Sequence, residues 1–525
     1  MGINFLIKNG IVFQTGDNQA VFQKTDIAVE GDRIKAVGDL SGAEADRTID
    51  VDGCYVSPGF IDTHAHSEFS LLADGRAEGK ISQGITTEIN GNCGLSAAPL
   101  YGQALERRED ELNALGIKER WHTFDEYFDI LGRRGVVMNF ATLAGHNNIR
   151  ASVTGYSDKD PSKAEMCKMT ALLKDAIASG AKGLSTGLIY PPGCYSGSAE
   201  IIELAKTASD RNGIYTTHMR DEGDKLLDAL DEVLDIAKEA KIHAHISHIK
   251  TSGEKNWNKL KEVYERIEKS YKNGISVTCD RYPYTASSTD LDALLPSWVY
   301  EGGHKEELRR ITNEQEKLKR ELSGTFPEDS CWESVRISSV NSDRNKWMEG
   351  KSIFNISRLL EKTPIDALFH ILTEVDLNAG AIFFFMSEEN LKSILQRPYT
   401  MIGSDSSARS FNGITSAGKP HPRGFGSFPR VLSKFVREEN ILTLSEALYK
   451  MTILPAKTFG IKERGSIKEG YFADMVIFDP DKVADLADFD DPFKKPEGIY
   501  HVFINGTPVM LDGEFTGAMP GRILK

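Results

Sequence analysis

No stretch of the 525-residue chain reaches the roughly 18 consecutive apolar residues of a membrane-crossing helix, so no part of it is expected to span a bilayer. Cysteine is sparse. The six present (Cys54, Cys93, Cys167, Cys194, Cys279 and Cys331) form no CxxC pair and no regular spacing, which excludes a disulfide framework and suggests a cytoplasmic protein. Positive charge is in deficit: 63 Lys and Arg stand against 77 Asp and Glu, a net charge of −14. A general nucleic-acid or acidic-membrane binder needs a basic face, so neither partner is expected, although a local basic pocket is compatible with this balance. The first residues, MGINFLIKNGIVFQTGD, lack the apolar core and small-residue cleavage site of a secretory signal and read as alternating strand. What is present, 40% hydrophobic and 27% charged residues, is the composition of a soluble globular protein of about two to four structural units.

Both ends of the chain look all-β. IKNGIVF, DIAVEGDRIKAVG and TIDVDGCYVSP at the start, and GSIKEGYFADMVIFDP and HVFINGTPVMLDGEF near the end, are short alternating segments broken by turn residues. Two half-sheets with unpaired edges predict one small β-sandwich from residues 1–57 and 460–525. The middle alternates differently. PGFIDTHAH, ISQGITTEING, VVMNFATLAGH, GAKGLSTGL, NGIYTTHMR, IHAHISHIK, GISVTCDRYPY and YTMIGSD are strand candidates, separated by amphipathic stretches such as LLDALDEVLDIAKEA. Eight such βα repeats over 58–459 predict a closed (β/α)₈ barrel, with a doubly wound sheet as the alternative. A charge-dense helical insertion over about 300–350, including HKEELRRITNEQEKLKRELSG, reads either as a solvated surface pair or as a lid over the barrel mouth.

In such a barrel the reacting groups lie at the C-terminal ends of the strands. The first strand ends in His64 and His66, whose side chains two residues apart share a face. The second ends in NGNCG, with Cys93 between two glycines that permit a tight turn. His218 closes the fifth, His248 and then Lys250 the sixth, and Asp405 the eighth. Cys93 could be core packing or a nucleophile, but the second role would leave the HxH pair unexplained. Asp405 could instead cap the helix that follows it. His243 and His245 lie earlier on strand six with opposite parity to His248 and read as outer-face or structural.

PGFIDTHAHSEFSLLADGRAEGKISQGITTEINGNCGLSAAPL resembles the amidohydrolase superfamily, and GNCG marks its N-acyl-D-amino-acid deacylase (D-aminoacylase) branch. The likeness continues through GAKGLSTGLIYPPG, THMRDEG, ISHIK, DRYPYTASST, MIGSDSSA and KPHPRGFGSFPRVL and covers nearly the whole chain. The resemblance implies zinc held tightly by Cys93, His218 and His248, and a second, weaker position using His64, His66 and the shared Cys93. Many relatives use a carbamylated lysine on strand four; this branch uses the cysteine, so Lys182 is not expected to be modified. The resemblance further implies Asp405 as general base and Lys250, Tyr282 and Arg423 around a substrate carboxylate, with Tyr284 a rival for Tyr282.

The implied activity is hydrolysis of the amide bond of a small-molecule N-acyl-D-amino acid. Alternatives are a cyclic-amide hydrolase of the hydantoinase or dihydroorotase kind, a dipeptidase acting on peptides with a C-terminal D-residue, and a catalytically dead scaffold that would have lost ligands. Two departures from the branch, Ser67 and Glu68 after HAH and the long SSARSFNGITSAGK loop after Asp405, bear on the side-chain pocket. Asp290 and Asp292 suggest a basic substrate side chain, and the absence of arginine from their segment argues against an acidic one.

Overall fold

The computed structural model describes residues 2–15, 20–326 and 328–525; Gly16 and Asp17, at the end of the expected N-terminal strand, lie outside the described residues. Nine strands from the two ends of the chain share one sheet. Its seam is antiparallel, Tyr55–Pro58 against Met475–Phe478, with Val56 opposite Ile477. The sheet folds over a core that includes Ile7, Val12, Ile27, Val56, Met475, Ile477 and Phe503, each from an alternating strand that buries one face. This is the β-sandwich. The last residues leave it, and Ile523 bridges to Phe140 beside the barrel.

The barrel strands are β1 (Phe60–Asp62), β2 (Ile85–Asn90), β3 (Asn139–Thr142, resumed at Ala144–Gly145), β4 (Gly183–Gly187), β5 (Ile214–His218), β6 (Ala244–Ile246), β7 (Val277–Arg281) and β8 (Thr400–Ile402). Every strand pairing among them is parallel. Closure comes from a parallel bridge between Ala65, beyond β1, and Ser406, beyond β8, which removes the free edges a doubly wound sheet would keep. The helices present one apolar stripe to this barrel. In Leu226–Ala240 the buried residues are Leu226, Ala229, Leu230, Val233, Ile236, Ala237 and Ala240, the i, i+3, i+4 pattern of an amphipathic helix.

The segment between β7 and β8 is larger and more varied than a helical insertion at 300–350. Helices His304–Asn313 and Gln315–Thr325 belong to a unit with its own three-stranded antiparallel sheet, in which Ala379–Phe383 runs between Ser287–Asp290 and Val335–Val340. That unit has a separate core around Leu291, Ile311, Leu318, Trp332, Ile337 and Phe369. Its outer strands escaped sequence reading for a physical reason. The SSTD segment at 287–290 is polar and becomes strand only through a partner about ninety residues away.

Candidate metal centre

Beyond Asp62 the chain stays in register with the segment after β8, so His64 and His66 enter the barrel mouth together, their ring centres 5.2 Å apart. The Asp405 N–H donates to the His64 carbonyl at 2.8 Å, which brings the carboxylate over the same pair. Asp405 Oδ1 is 3.5 Å from His64 Nε2 and 3.3 Å from His66 Nε2. After β2, Gly94 takes φ +75° where a Cβ would meet Asn147 Oδ1 at 2.3 Å, so only glycine permits that turn. Cys93 thereby turns inward, with Sγ 3.2 Å from His64 Nε2 and 3.4 Å from His248 Nε2. The His218 ring lies 4.3 Å from that of His248. Cys93, His248 and Asp405 all hold left-handed backbones, with φ of +54°, +37° and +51°. Such strain, of the order of 1–3 kcal/mol per residue, persists where the surroundings over-determine a conformation, characteristically at functional sites.

Three residues that sequence reasoning did not assign to the site join it. Asp280, at the end of β7, accepts from the His248 N–H at 2.7 Å, lies 2.7 Å from His245 Nε2 and reaches His64 Nδ1 at 3.2 Å. His245 is therefore buried inside the barrel beneath the centre rather than on an outer face. Strand parity does not extend to His248, because β6 ends at Ile246 and the left-handed His248 no longer follows strand alternation. Glu222 lies 3.0 Å from His248 Nδ1, 3.6 Å from His218 Nε2 and 2.5 Å from Lys250 Nζ. An acid four residues after a strand-end histidine was the available signal for it, and an acid ending an otherwise apolar strand the signal for Asp280.

The electrostatics suit a cation. Burial alone would push the Cys93 thiol up, but the imidazoles of His64 and His248 outweigh it and hold the group well below its ordinary range. Burial likewise opposes ionisation of Asp405, yet Arg423, His64 and His66 keep its carboxyl well below the usual range. Burial lowers His218, favouring the neutral imidazole that ligates metals. Both His218 ring nitrogens are buried without a hydrogen-bond partner, an unmet demand that a metal ion would satisfy on one side. Donor atoms of His64, Cys93 and His248 lie within 4.8 Å of one another, as do those of His64, His66 and Asp405. A thiolate among imidazoles matches the preferences of zinc.

The expected substrate-binding residues line the same cavity of about 1000 Å³. Lys250 reaches it beside Glu222. Arg423 Nη1 lies 2.8 Å from Asp405 Oδ2 but out of line for a hydrogen bond, while its Nη2 donates to the Ser288 carbonyl at 3.1 Å. The Tyr282 ring is flanked by Arg281 and Arg423, and its hydroxyl has no partner. Tyr282 lines the cavity and Tyr284 does not. Lys182 immediately precedes β4, at the opposite end of that strand from the centre.

The sequence pattern of the Amidohydrolase family matches residues 47–286 and 366–510. The D-aminoacylase of Alcaligenes xylosoxydans xylosoxydans is 37% identical over 502 residues, 96% of this chain and 94% of that protein. Among solved structures, a D-aminoacylase with a binuclear metal centre has a TM-score of 0.83 at 35% identity over 100% of both chains. The N-acyl-D-glutamate deacylase of Bordetella bronchiseptica, solved with zinc and a phosphonate mimic of the tetrahedral intermediate, has a TM-score of 0.84 at 32% identity, again over 100% of both. The chain belongs to the amidohydrolase family, on its N-acyl-D-amino-acid deacylase (D-aminoacylase) branch.

Proposed function

We propose that this protein hydrolyses the amide bond of N-acyl-D-amino acids in the cytoplasm, giving a carboxylate and a free D-amino acid, with zinc as its cofactor. The observation that carries this reading is the convergence of Cys93 with His64, His218 and His248 beside Asp405, in one cavity with Lys250, Tyr282 and Arg423. Cys93, His218 and His248 would hold the tight ion, and His64 and His66 with a shared Cys93 would hold a weaker second one. When bound, zinc supplies Lewis acidity to the acyl carbonyl and makes water acidic enough to react near neutral pH.

Asp405 supplies the proton path. Its carboxylate stays ionised because Arg423 and the histidines oppose the effect of burial, so Oδ1 is ready to accept the proton of the attacking water. The same oxygen then returns that proton to the departing amine nitrogen. Lys250 Nζ, the free Tyr282 hydroxyl and the unaligned Arg423 Nη1 surround the position of the substrate α-carboxylate. Three donors on one carboxylate fix the α-carbon against Asp405, and the space left for the side chain then decides which hand presents its amide bond. Glu222 holds Lys250 in place until substrate arrives. A hydantoin has no free carboxylate for these three groups, which disfavours that cyclic amide, whereas dihydroorotate keeps one and is separated only by the assay.

The test is zinc-reconstituted protein with matched N-acetyl-D- and N-acetyl-L-amino acids, scored by released amine. Hydrolysis confined to the D series supports the reading. Turnover of hydantoin or dihydroorotate with no turnover of any linear amide would replace it with the cyclic-amide alternative.

A further inference from the structure

Four arginines line the cavity at the barrel mouth: Arg107, Arg108, Arg409 and Arg423. Three are matched. Arg107 lies 3.0 Å from His304 Nδ1 and 3.9 Å from Asp292, Arg108 pairs with Glu111 at 2.9 Å, and Arg423 lies 2.8 Å from Asp405. Arg409 is different. Its Nη1 donates to the carbonyls of Thr415 at 3.2 Å and Ala417 at 2.9 Å, and among the described residues its Nε and Nη2 have no hydrogen-bond partner and the guanidinium no carboxylate in salt-bridge range. It is only partly exposed, and burial draws its pKa down to about 10 with no anion to oppose the shift. A guanidinium has five donors in a planar fork, and two of its three nitrogens here are left for something else.

The backbone holds this group in place. The Ala408 N–H donates to Ser67 Oγ at 2.8 Å, and the Arg409 carbonyl accepts from the Gly79 N–H at 2.8 Å. Arg409 is four residues from Asp405, on the loop that leads to Arg423, so it lies on the His66 side of the cavity. Of the two acids that suggested a basic substrate, Asp292 is already engaged, facing Arg107 and Glu307, and Asp290, although it lines the same cavity, is exposed.

We propose that Arg409 is a specificity-determining residue that binds a second carboxylate on the substrate, distinct from the α-carboxylate held by Lys250, Tyr282 and Arg423. This rests on the deacylase reading and narrows it to dianionic substrates. The chemistry required is one planar carboxylate in the free fork of Arg409. Either an acidic D-side chain or a dicarboxylic acyl group supplies it. The mono-anionic isostere leaves that fork unpaired in a partly buried site, which is how a polar pocket rejects an analogue lacking its partner group.

Two substrate pairs separate the sources: N-acetyl-D-glutamate against N-acetyl-D-glutamine, and N-succinyl-D-methionine against N-butyryl-D-methionine. The expected result is a preference of about 10- to 100-fold in kcat/KM for the acid in one pair, identifying which end meets Arg409. In Arg409→Met that ratio collapses towards one, while Arg409→Lys keeps the charge without the fork and retains an intermediate ratio. The Lys variant also carries the test should the Met variant fail to fold, and thermal unfolding and zinc content establish that each is intact. No acid preference in either pair overturns the proposal. So does an equal loss for both members of each pair in Arg409→Met, which would make Arg409 a loop support only. Absence of amine from every N-acyl-D-amino acid would instead sink the deacylase reading, and this proposal with it.

Discussion

Lys80 Nζ lies 2.7 Å from Asp62 Oδ2 in full burial, and the same ammonium bonds Ser404 Oγ at 2.8 Å and the Ser406 carbonyl at 3.1 Å, on either side of Asp405. Glu88 adds a second carboxylate at 2.8 Å. Burial would neutralise the lysine, but Asp62 and Glu88 reverse that and raise its pKa. The backbone that carries Asp405 is thus tied to an ion cluster beneath the barrel mouth.

Lys80→Met strands two buried carboxylates and is expected to cost about 3–5 kcal/mol of stability, read by urea unfolding. It also releases residues 404–406, so kcat should fall by about 100-fold in protein that is still folded, as a misplaced reacting group does. Replacing Asp62 by Leu in the same protein should recover little of either, because Asp62 also accepts from the buried N–H groups of His64 at 3.2 Å and Ser404 at 2.8 Å. If Lys80→Met unfolds within about 1 kcal/mol of the parent, the cluster does not hold the fold as described.

Asp405→Asn keeps the shape of the side chain and removes its basicity. Turnover should drop by about 10² to 10⁴-fold, the usual range for a general acid–base group, with zinc content unchanged by elemental analysis. Near-parental turnover would remove Asp405 from the proton path. Loss of zinc in step with activity would make it a ligand instead, consistent with its 3.3 Å approach to His66.

Much of this architecture can be read from sequence because the barrel strands are buried on both faces and end in residues that have little reason to be there except chemistry. His64, His66, Cys93, His218, His248 and Asp405 all fall at such ends. The groups that resisted reading depend on contacts between distant segments. Glu222 owes its place to a turn that carries it back over His218 and His248, and Asp280 to sharing its two oxygens between His64, His245 and the His248 backbone. Arg409 lies in a loop with no periodicity, and its free fork is visible only once Thr415 and Ala417 are seen to use a single nitrogen.

A pH effect on stability is expected at the junction of the insertion and the barrel. Glu307 is pushed from its ordinary 4.5 up to about 9 by burial and then by Asp292, with Arg107 opposing and Asp290 adding to the shift. Asp292 itself rises to about 6 through burial and Asp290. The native state therefore binds the Glu307 proton more tightly than the unfolded chain does. Its stabilising contribution is complete below the ordinary carboxylate pKa and is lost as pH rises through about 9. Thermal midpoints should fall between about pH 6 and about pH 9.5, and Glu307→Gln should flatten that decline. Parallel declines in the two proteins would show that Glu307 is already ionised at neutral pH.

Cys93 and Lys182 make opposite forecasts about metal binding. In a lysine-bridged centre the fourth strand would supply the ligand, and removing its lysine would empty the site. Here Lys182 precedes β4 at the end away from His218 and His248, and burial with the nearby Lys462 lowers its pKa. Cys93, by contrast, lies within 3.2 Å and 3.4 Å of two imidazoles. Cys93→Ala should therefore lose zinc on dialysis and lose turnover with it, since a thiolate removed from such a set takes much of the affinity. Lys182→Ala should keep both zinc and turnover. Zinc retained by Cys93→Ala but lost by Lys182→Ala would move the centre to the fourth strand and refute the ligand set.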